Sequence, residues 1–299
     1  MTAAFDVIVC GSLHLDIVVD APHLPRLDET VPGTHWKKVC GGKGGNQAMM
    51  AARAGARTAM ISRVGNDDFG ITLVSNLKAN AVDVACVSSD PTQGTGMSVA
   101  IVDSSGEYGA VIVSGSNLAL QPEFAAADFR KTGRAAVLVL QNEIPEAVNI
   151  AIARTARDLG TKVILNAAPA RTMSDAFLQL VDLLVVNRVE AEMLSGMMVS
   201  DVASATAALP YLNKSVPQVI ITLGGQGLVF KTKQDVARFI PPVKVVVKST
   251  HGAGDCFVGV LANALAKGLD LATACALANQ SAAKFVGGQT FSTLNSVPL

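Results

Sequence analysis

The sequence predicts an α/β fold, namely a three-layer α/β/α sandwich with a mostly parallel central sheet and a small antiparallel β lid. Short runs rich in β-branched residues alternate along most of the 299-residue chain with longer, alanine-rich segments of helical period. This βαβα order is typical of a parallel sheet that carries helices on both faces. Two segments interrupt the order, one with prolines between short strand-like runs and one with a hairpin-like turn between alternating runs, and they predict the lid.

The elements of the alternating core follow one another without a linker, a repeat or a low-complexity tract. The chain 1–299 is therefore expected to form a single domain. In chain order, the predicted strands lie at 7–10, 59–64, 136–140, 162–166, 183–186 and 218–222, and the predicted helices at 46–54, 70–80, 145–159, 190–194, 255–267 and 271–285.

The lid is predicted at 13–39 and 96–113, as two excursions from the core. The first contains prolines between short strand-like runs, and in the second a turn at 104–106 separates two alternating runs, as in a hairpin. Each excursion follows a core strand, so both are expected at the carboxyl edge of the sheet, where open α/β sheets bind ligands. The thin apolar faces of these strands predict a homodimer formed through the lid.

The composition excludes several classes of protein. Half of the residues are hydrophobic and 16% are charged, so the chain can bury a large core and wholesale disorder is excluded. Lys plus Arg equals Asp plus Glu at 24 each, which leaves no basic field for nucleic acid or an acidic membrane. No apolar run has membrane length, no basic segment precedes the first strand, and the five cysteines lack CxxC pairing. A cytoplasmic protein is expected.

Small residues lead directly into the predicted helix at 255–267, in the run STHGAGD at 249–255. Glycines at Gly252 and Gly254 let backbone N–H groups converge at a helix N-terminus, where the helix dipole favours an anion. This pattern indicates an anion-binding site with the Asp255 carboxylate beside it. An Asp at this position is also a common helix cap, but a cap needs no glycines before it.

Three further motifs contain glycines or polar residues that suit a ligand. The run GGKGGNQA at 41–48 precedes a helix and suits close approach of a small polar ligand, although it is not a Walker A loop and a plain glycine-rich turn is the alternative. The run NRVE at 187–190 follows a strand, where polar groups suit a hydrated metal ion or a helix cap. The run TLGGQG at 222–227 suits phosphate contacts or a hairpin turn.

The order GGKGGNQA, NRVE, TLGGQG and GAGD resembles the ribokinase-like (PfkB-type) carbohydrate kinases over nearly the whole chain, and the form GGKGGNQA resembles the ribokinase branch most. The resemblance implies transfer of the γ-phosphate of ATP to a primary hydroxyl of a small sugar, with ribose as the first choice. The alternatives are a nucleoside kinase, a kinase of another pentose or ketose, and a catalytically silent sugar-binding protein. An oxidoreductase is disfavoured because no GxGxxG follows the first strand.

The resemblance also implies roles for individual residues. Asp255 would be the base that deprotonates the sugar hydroxyl, and Gly252, Ala253 and Gly254 would line the site that stabilises the transferred phosphoryl group. The residues implied to hold the sugar are His14, Asp16, Gly42, Lys43, Asn46, Glu143 and Asp255. Those implied to hold the nucleotide are Asn187, Thr222, Gly224, Gly225, Gly227, Gly254 and Asn279. Asn187 and Glu190 would organise Mg²⁺, the expected cofactor, through water.

Three positions depart from the family pattern. His14 stands where the ribokinase branch commonly has Asn, so the preferred sugar could differ from ribose. Ser249 stands where the family often has Asp, and the loop at 287–292 replaces an Arg-x-Gly-Ala type of sequence. Both lie where the resemblance places a potassium site, so weak or absent activation by K⁺ is expected. His251 is either a phosphate donor or a surface histidine, and the surface position is favoured.

Overall fold

A computed structural model describes residues 4–105 and 107–289 of the chain. Its strands are β1 (Phe5–Cys10), β2 (His14–Asp20), β3 (His35–Gly41), β4 (Thr58–Gly65), β5 (Val82–Asp90), β6 (Met97–Val102), β7 (Tyr108–Val113), β8 (Ala135–Gln141), β9 (Lys162–Asn166), β10 (Leu183–Asn187), β11 (Gln218–Thr222), β12 (Leu228–Thr232) and β13 (Arg238–Ile240). Its α-helices are α1 (Lys43–Arg53), α2 (Asp68–Ala79), α3 (Pro122–Thr132), α4 (Glu146–Asp158), α5 (Asp175–Leu178), α6 (Arg188–Ser195), α7 (Val202–Leu212), α8 (Ala253–Ala266) and α9 (Leu271–Val286).

The larger sheet has the strand order β13-β12-β11-β10-β9-β8-β1-β4-β5. All pairs from β11 to β5 are parallel, whereas β12 and β13 join antiparallel at one edge. Because the strands are parallel, their carboxyl ends lie along one edge of the sheet. The predicted mostly parallel sheet is confirmed.

Helices cover both faces of this sheet, and each face has its own hydrophobic core. Ile8 of β1 points into a core shared with α3, α4, α6 and α7, whereas Val7 and Val9 point into a core shared with α1, α2, α8 and α9. This split follows from the two-residue period of a strand, which sends successive side chains to opposite faces. The three-layer sandwich predicted from the sequence is thus confirmed.

The smaller sheet is the lid, with the strand order β3-β2-β6-β7. The pairs β2–β3 and β6–β7 are antiparallel, as predicted, and a parallel pair between β2 and β6 joins the two hairpins. Both β2 and β6 leave the core at the same edge of the larger sheet, which explains why they run in the same direction. The turn predicted at 104–106 connects β6 to β7, although Gly106 itself lies outside the described residues.

Two helix starts differ from the sequence prediction in a way that shapes the site. Helix α1 begins at Lys43, before the predicted position 46, so Gly44 and Gly45 belong to its first turn. A Cβ at Gly44 would approach the backbone of Gly11 and Ser12 to 2.7–2.8 Å, so the glycine allows the helix to lie directly on the end of β1. Helix α8 likewise begins at Ala253, two residues before Asp255.

Several elements were not predicted. Strand β5 shows an irregular burial pattern along Val82–Asp90, without the alternation that indicates a half-buried strand. Helix α7 contains Pro210, which is unfavourable inside a helix and obscures the helical pattern. Within the described part of the chain, no helix is both long and apolar enough to cross a membrane.

Candidate active site

The sequence motifs meet at the carboxyl edge of the larger sheet. Glu143 follows β8, Asn187 ends β10 and Thr222 ends β11, while α1 and α8 bring their N-terminal turns to the same edge. The lid strand β2 begins just beyond the end of β1 and stands over this region. The arrangement brings residues predicted to hold the sugar and residues predicted to hold the nucleotide to one edge of the sheet.

The N-terminus of α8 has the geometry of an anion site. Gly252 precedes the helix with φ of 77°, a left-handed conformation that favours glycine, and no side chain caps the helix among the described residues. A Cβ at Gly254 would meet no atom within 4 Å, so open space lies in front of the first turn. The Ala253 N–H donates to Thr250 O at 3.2 Å, so the N–H groups of this turn that can receive the oxygens of a phosphoryl group are those of Gly254 and Asp255.

Asp255 lies in this first turn and is held by two amides of α1. Asn46 Nδ2 donates to its Oδ2 at 3.0 Å, and Gln47 Nε2 donates to its Oδ1 at 2.9 Å. Burial raises the pKa of Asp255, the Lys43 ammonium and both amides lower it, and Glu143 raises it. A partly desolvated carboxylate beside an anion site can accept a proton from a hydroxyl group.

Glu143 links β8 to the N-terminus of α1 and to the end of β1. Its Oε2 accepts a hydrogen bond from Ser12 Oγ at 2.5 Å and another from the Lys43 backbone N–H at 2.9 Å. His14 Nδ1 lies 3.9 Å from the same oxygen, and Asn117 Nδ2 lies 3.3 Å from His14 Nε2. Burial lowers the pKa of His14, so its imidazole is neutral near pH 7 despite the nearby carboxylates.

Asp16 extends the polar surface onto the lid. Ser98 Oγ of β6 donates to Asp16 Oδ1 at 2.5 Å, so the two central lid strands share this carboxylate. A Cβ at Gly41 would collide with Asp16 Oδ2, and Gly42 has φ of 86° with backbone atoms of residues 12–14 within 3 Å of its would-be Cβ. Glycine is therefore required where α1 meets the lid.

Asn187 and Glu190 form a capping box at the start of α6. Asn187 Oδ1 accepts from the Glu190 N–H at 3.0 Å, and Glu190 Oε2 accepts from the Asn187 N–H at 2.7 Å. The helix-cap alternative is therefore realised. Glu190 is nevertheless buried, which raises its pKa, while the Lys43 ammonium lowers it, so Lys43 acts electrostatically on both Glu190 and Asp255.

The remaining nucleotide-side residues lie around the β11–β12 hairpin. Its turn, Gly224–Gln226, is exposed, and a Cβ at Gly224 or Gly225 would meet no atom within 4 Å. Gly227 is the opposite case, since its φ is 89° and its Cβ would strike Ile240 O. The hairpin alternative for this motif is thus realised, and Thr222 Oγ1 is bonded to Val186 O at 3.3 Å. Asn279 of α9 donates to Pro241 O at 2.9 Å.

The segments of the expected potassium site come together. The Ser249 N–H bonds to Val286 O at 3.3 Å, at the end of α9, which is followed directly by Gly287. Residues 290–292 of the predicted loop lie outside the described residues. His251 is exposed, in agreement with a surface histidine.

Several residues of the site escaped the sequence prediction. Gln47 adjoins the predicted Asn46 and Ser12 lies two residues before the predicted His14, so both positions offered a signal that was not used. Ser98, Asn117 and Asn166 carry no local signal, because only the fold brings β6, the turn Gly115–Ala119 and β9 to this edge.

Comparison with known proteins found a family model that matches nearly the whole chain. Residues 4–295 match the family described as pfkB family carbohydrate kinase. The chain is 38% identical over 263 residues to a ribokinase of Mus musculus, an alignment that covers 87% of this chain and 81% of the mouse protein. It is 35% identical over 258 residues to a ribokinase of Haemophilus influenzae, with 86% of this chain and 84% of that protein covered.

Similar folds occur among solved structures. Arabidopsis thaliana ribokinase complexed with ribose and ATP superimposes with a TM-score of 0.87 at 27% sequence identity. The superposition covers 98% of this chain and 96% of the plant protein.

Proposed function

Because the chain belongs to the pfkB family of carbohydrate kinases and is an ATP-dependent sugar kinase, we propose that its sugar is ribose and that the γ-phosphate passes to a primary hydroxyl. The observation that carries the proposal is Asp255 in the first turn of α8. Its carboxylate adjoins open space in front of the N–H groups of Gly254 and Asp255, so the carboxylate could accept the hydroxyl proton while these N–H groups receive the phosphoryl oxygens.

One group of residues is proposed to bind the sugar and another to bind the nucleotide. Asn46 and Glu143 present polar atoms near Asp255, and Asp16 adds a carboxylate where the lid meets α1. Such groups suit the several hydroxyls of a small sugar. His14, Gly42 and Lys43 adjoin them and complete the proposed sugar site. On the other side, the open glycines of the turn Gly224–Gln226, together with Thr222, Gly227 and Asn279, are proposed to line the nucleotide path.

Asn187 and Glu190 suit Mg²⁺ only through water, because all three of their side-chain oxygens already accept hydrogen bonds within the capping box, so ATP would supply most of the ligands. No group of three His, Cys, Asp or Glu side chains within residues 4–105 and 107–289 could hold a metal ion without help. Asn187 and the buried Glu190 would hold a hydrated ion through water, which suits the reluctance of Mg²⁺ to lose its waters. When bound, Mg²⁺ neutralises charge on the phosphates of ATP.

The lid supports a proposal of a homodimer. The edge strand β7 has three consecutive exposed apolar residues, since Val111, Ile112 and Val113 are 69%, 64% and 52% exposed. Apolar side chains are therefore exposed on both faces of this strand. Trp36 at the other edge of the lid is also exposed. A second copy of the chain would cover these surfaces.

The free cysteines among the described residues are in keeping with a reducing, cytoplasmic setting.

The substrate is tested by ADP release from Mg-ATP with D-ribose, 2-deoxy-D-ribose, D-fructose and adenosine. We expect the highest kcat/KM with D-ribose. The Asp255→Asn variant is the control, because its release rate reports contaminating ATPase. A kcat/KM for adenosine above that for every sugar would contradict the proposal and favour a nucleoside kinase.

A further inference from the structure

The side chain of Gln47 lies wholly inside the protein and connects Asp255 to the central sheet. Its Nε2 donates to Asp255 Oδ1 at 2.9 Å and to Asn166 Oδ1 of β9 at 3.0 Å. Its Oε1 accepts from Gln141 Nε2 of β8 at 2.7 Å. One amide therefore ties the carboxylate on α8 to two neighbouring strands.

The surroundings allow only one orientation of this amide. If the amide of Gln47 were reversed, its oxygen would face the oxygens of Asp255 and Asn166, and its NH₂ group would face that of Gln141. Gln141 is itself confined, because its side-chain oxygen occupies the space that a Cβ at Gly11 would need. A donor is thus fixed on Asp255 before any substrate arrives.

We propose that Gln47 is a positioning residue that holds the Asp255 carboxylate in its productive orientation and keeps it ionised for proton abstraction. The inference rests on the proposed function, because it needs Asp255 to act as the base. In this proposal Gln141 of β8 and Asn166 of β9 affect the reaction through Gln47, without contact with the substrate.

The charge balance around Asp255 explains why a fixed donor matters. Burial raises the pKa of this carboxyl, and the nearby Glu143 raises it further. The Lys43 ammonium and the amides of Asn46 and Gln47 oppose that rise. Lys43 and Glu143 are only partly buried, whereas the side chain of Gln47 is fully buried, so solvent screens the contribution of Gln47 least.

The Gln47→Met variant removes the amide and keeps a side chain of similar length. We expect the single-turnover rate at pH 7 to fall about tenfold or more, as for loss of a hydrogen bond to a charged group. The acidic limb of the pH–rate profile should move to higher pH by about one unit, since the lost donor favoured the ionised form. The KM values for ribose and ATP should change less than about threefold, because Gln47 has no exposed surface.

A second variant, Gln141→Met, leaves Gln47 in place and removes only the donor that orients it. The acidic limb should move in the same direction by a smaller amount. This variant decides the question if Gln47→Met does not fold.

The matched control is Asn263→Leu, because Asn263 of α8 is another fully buried amide that bridges α8 and α1. Its Nδ2 donates to Ala54 O at 2.7 Å, away from Asp255. The control should lower the melting temperature and leave the acidic limb unchanged. If Asp255→Asn is inactive and the acidic limb of the pH–rate profile is unchanged in Gln47→Met, the inference is overturned. If only Gln141→Met folds, an unchanged acidic limb in that variant overturns it. Wild-type turnover by Asp255→Asn would instead overturn the proposed base and the inference with it.

Discussion

Replacement of Asp255 by Asn should separate catalysis from stability. The substitution keeps the shape of the side chain and removes the group that accepts the proton, while the helix N–H groups and the open space at Gly254 are retained. Loss of a positioned base lowers turnover by about a hundredfold or more, equivalent to about 2.7 kcal/mol of transition-state stabilisation. Affinities for ribose and ATP, measured by calorimetry, should stay within about threefold of wild type. Turnover equal to that of the wild type would refute the assignment of Asp255.

The same variant should be more stable than the wild type at neutral pH. Because burial raises the folded-state pKa of Asp255 above its ordinary value of 3.8, the folded protein resists ionisation of this group more than the unfolded chain does. The group therefore costs no stability below about pH 4, and the cost grows as the pH rises through the folded-state pKa and persists at pH 7. Asn avoids this cost, so we expect the melting temperature at pH 7 to rise by about 1–3 °C. A lower melting temperature for Asp255→Asn at pH 7 would show that the lost bonds to Asn46 and Gln47 outweigh burial.

Three further predictions address the rest of the cleft and the lid. Gly254→Ala should melt within about 1 °C of the wild type, because the added Cβ meets no protein atom, yet lose about tenfold or more in kcat by filling the space proposed for the phosphoryl group. K⁺ should raise initial rates less than about tenfold in sodium-free buffer, because Ser249 offers a neutral hydroxyl where the family often has a carboxylate; a larger rise would contradict this. Light scattering at micromolar concentration should give the mass of a dimer, and Val111→Glu, placed on the exposed edge strand, should give that of a monomer; a monomeric wild type would refute the lid interface.

The sequence predicted the core elements well because they carry strong local signals. Strands β9 and β11 are runs of buried β-branched or leucine residues with turn residues on either side, and their predicted and observed bounds coincide. Strand β5 and helix α7 were missed because burial along β5 is irregular and α7 contains Pro210. The parallel pairing of β2 with β6 could not be predicted, because about eighty residues separate these strands and no local pattern records their register.

The site was predicted where its residues share a short motif and missed where they meet through the fold. Lys43 and Asn46 stand together in the glycine-rich run, and Asp255 follows its glycines directly. By contrast, Ser98 reaches Asp16 across 82 positions, and Asn166 reaches Gln47 across 119. Contacts of this kind depend on the order of strands in the sheet, which hydrophobic periodicity alone does not determine.

The capping box that Asn187 and Glu190 form does not exclude the role in ligand binding that we propose for them. Parallel strands deliver the chain to one edge, and each following helix starts there with N–H groups that lack partners. Polar side chains at those positions satisfy the helix, as both do in the capping box of α6. At this location Asn187 is exposed, while the buried Glu190 is subject to the charge of Lys43. Polar groups that cap a helix at this edge are thus also placed to meet a ligand, so a capping pattern at this edge of a parallel sheet is no argument against a role in function.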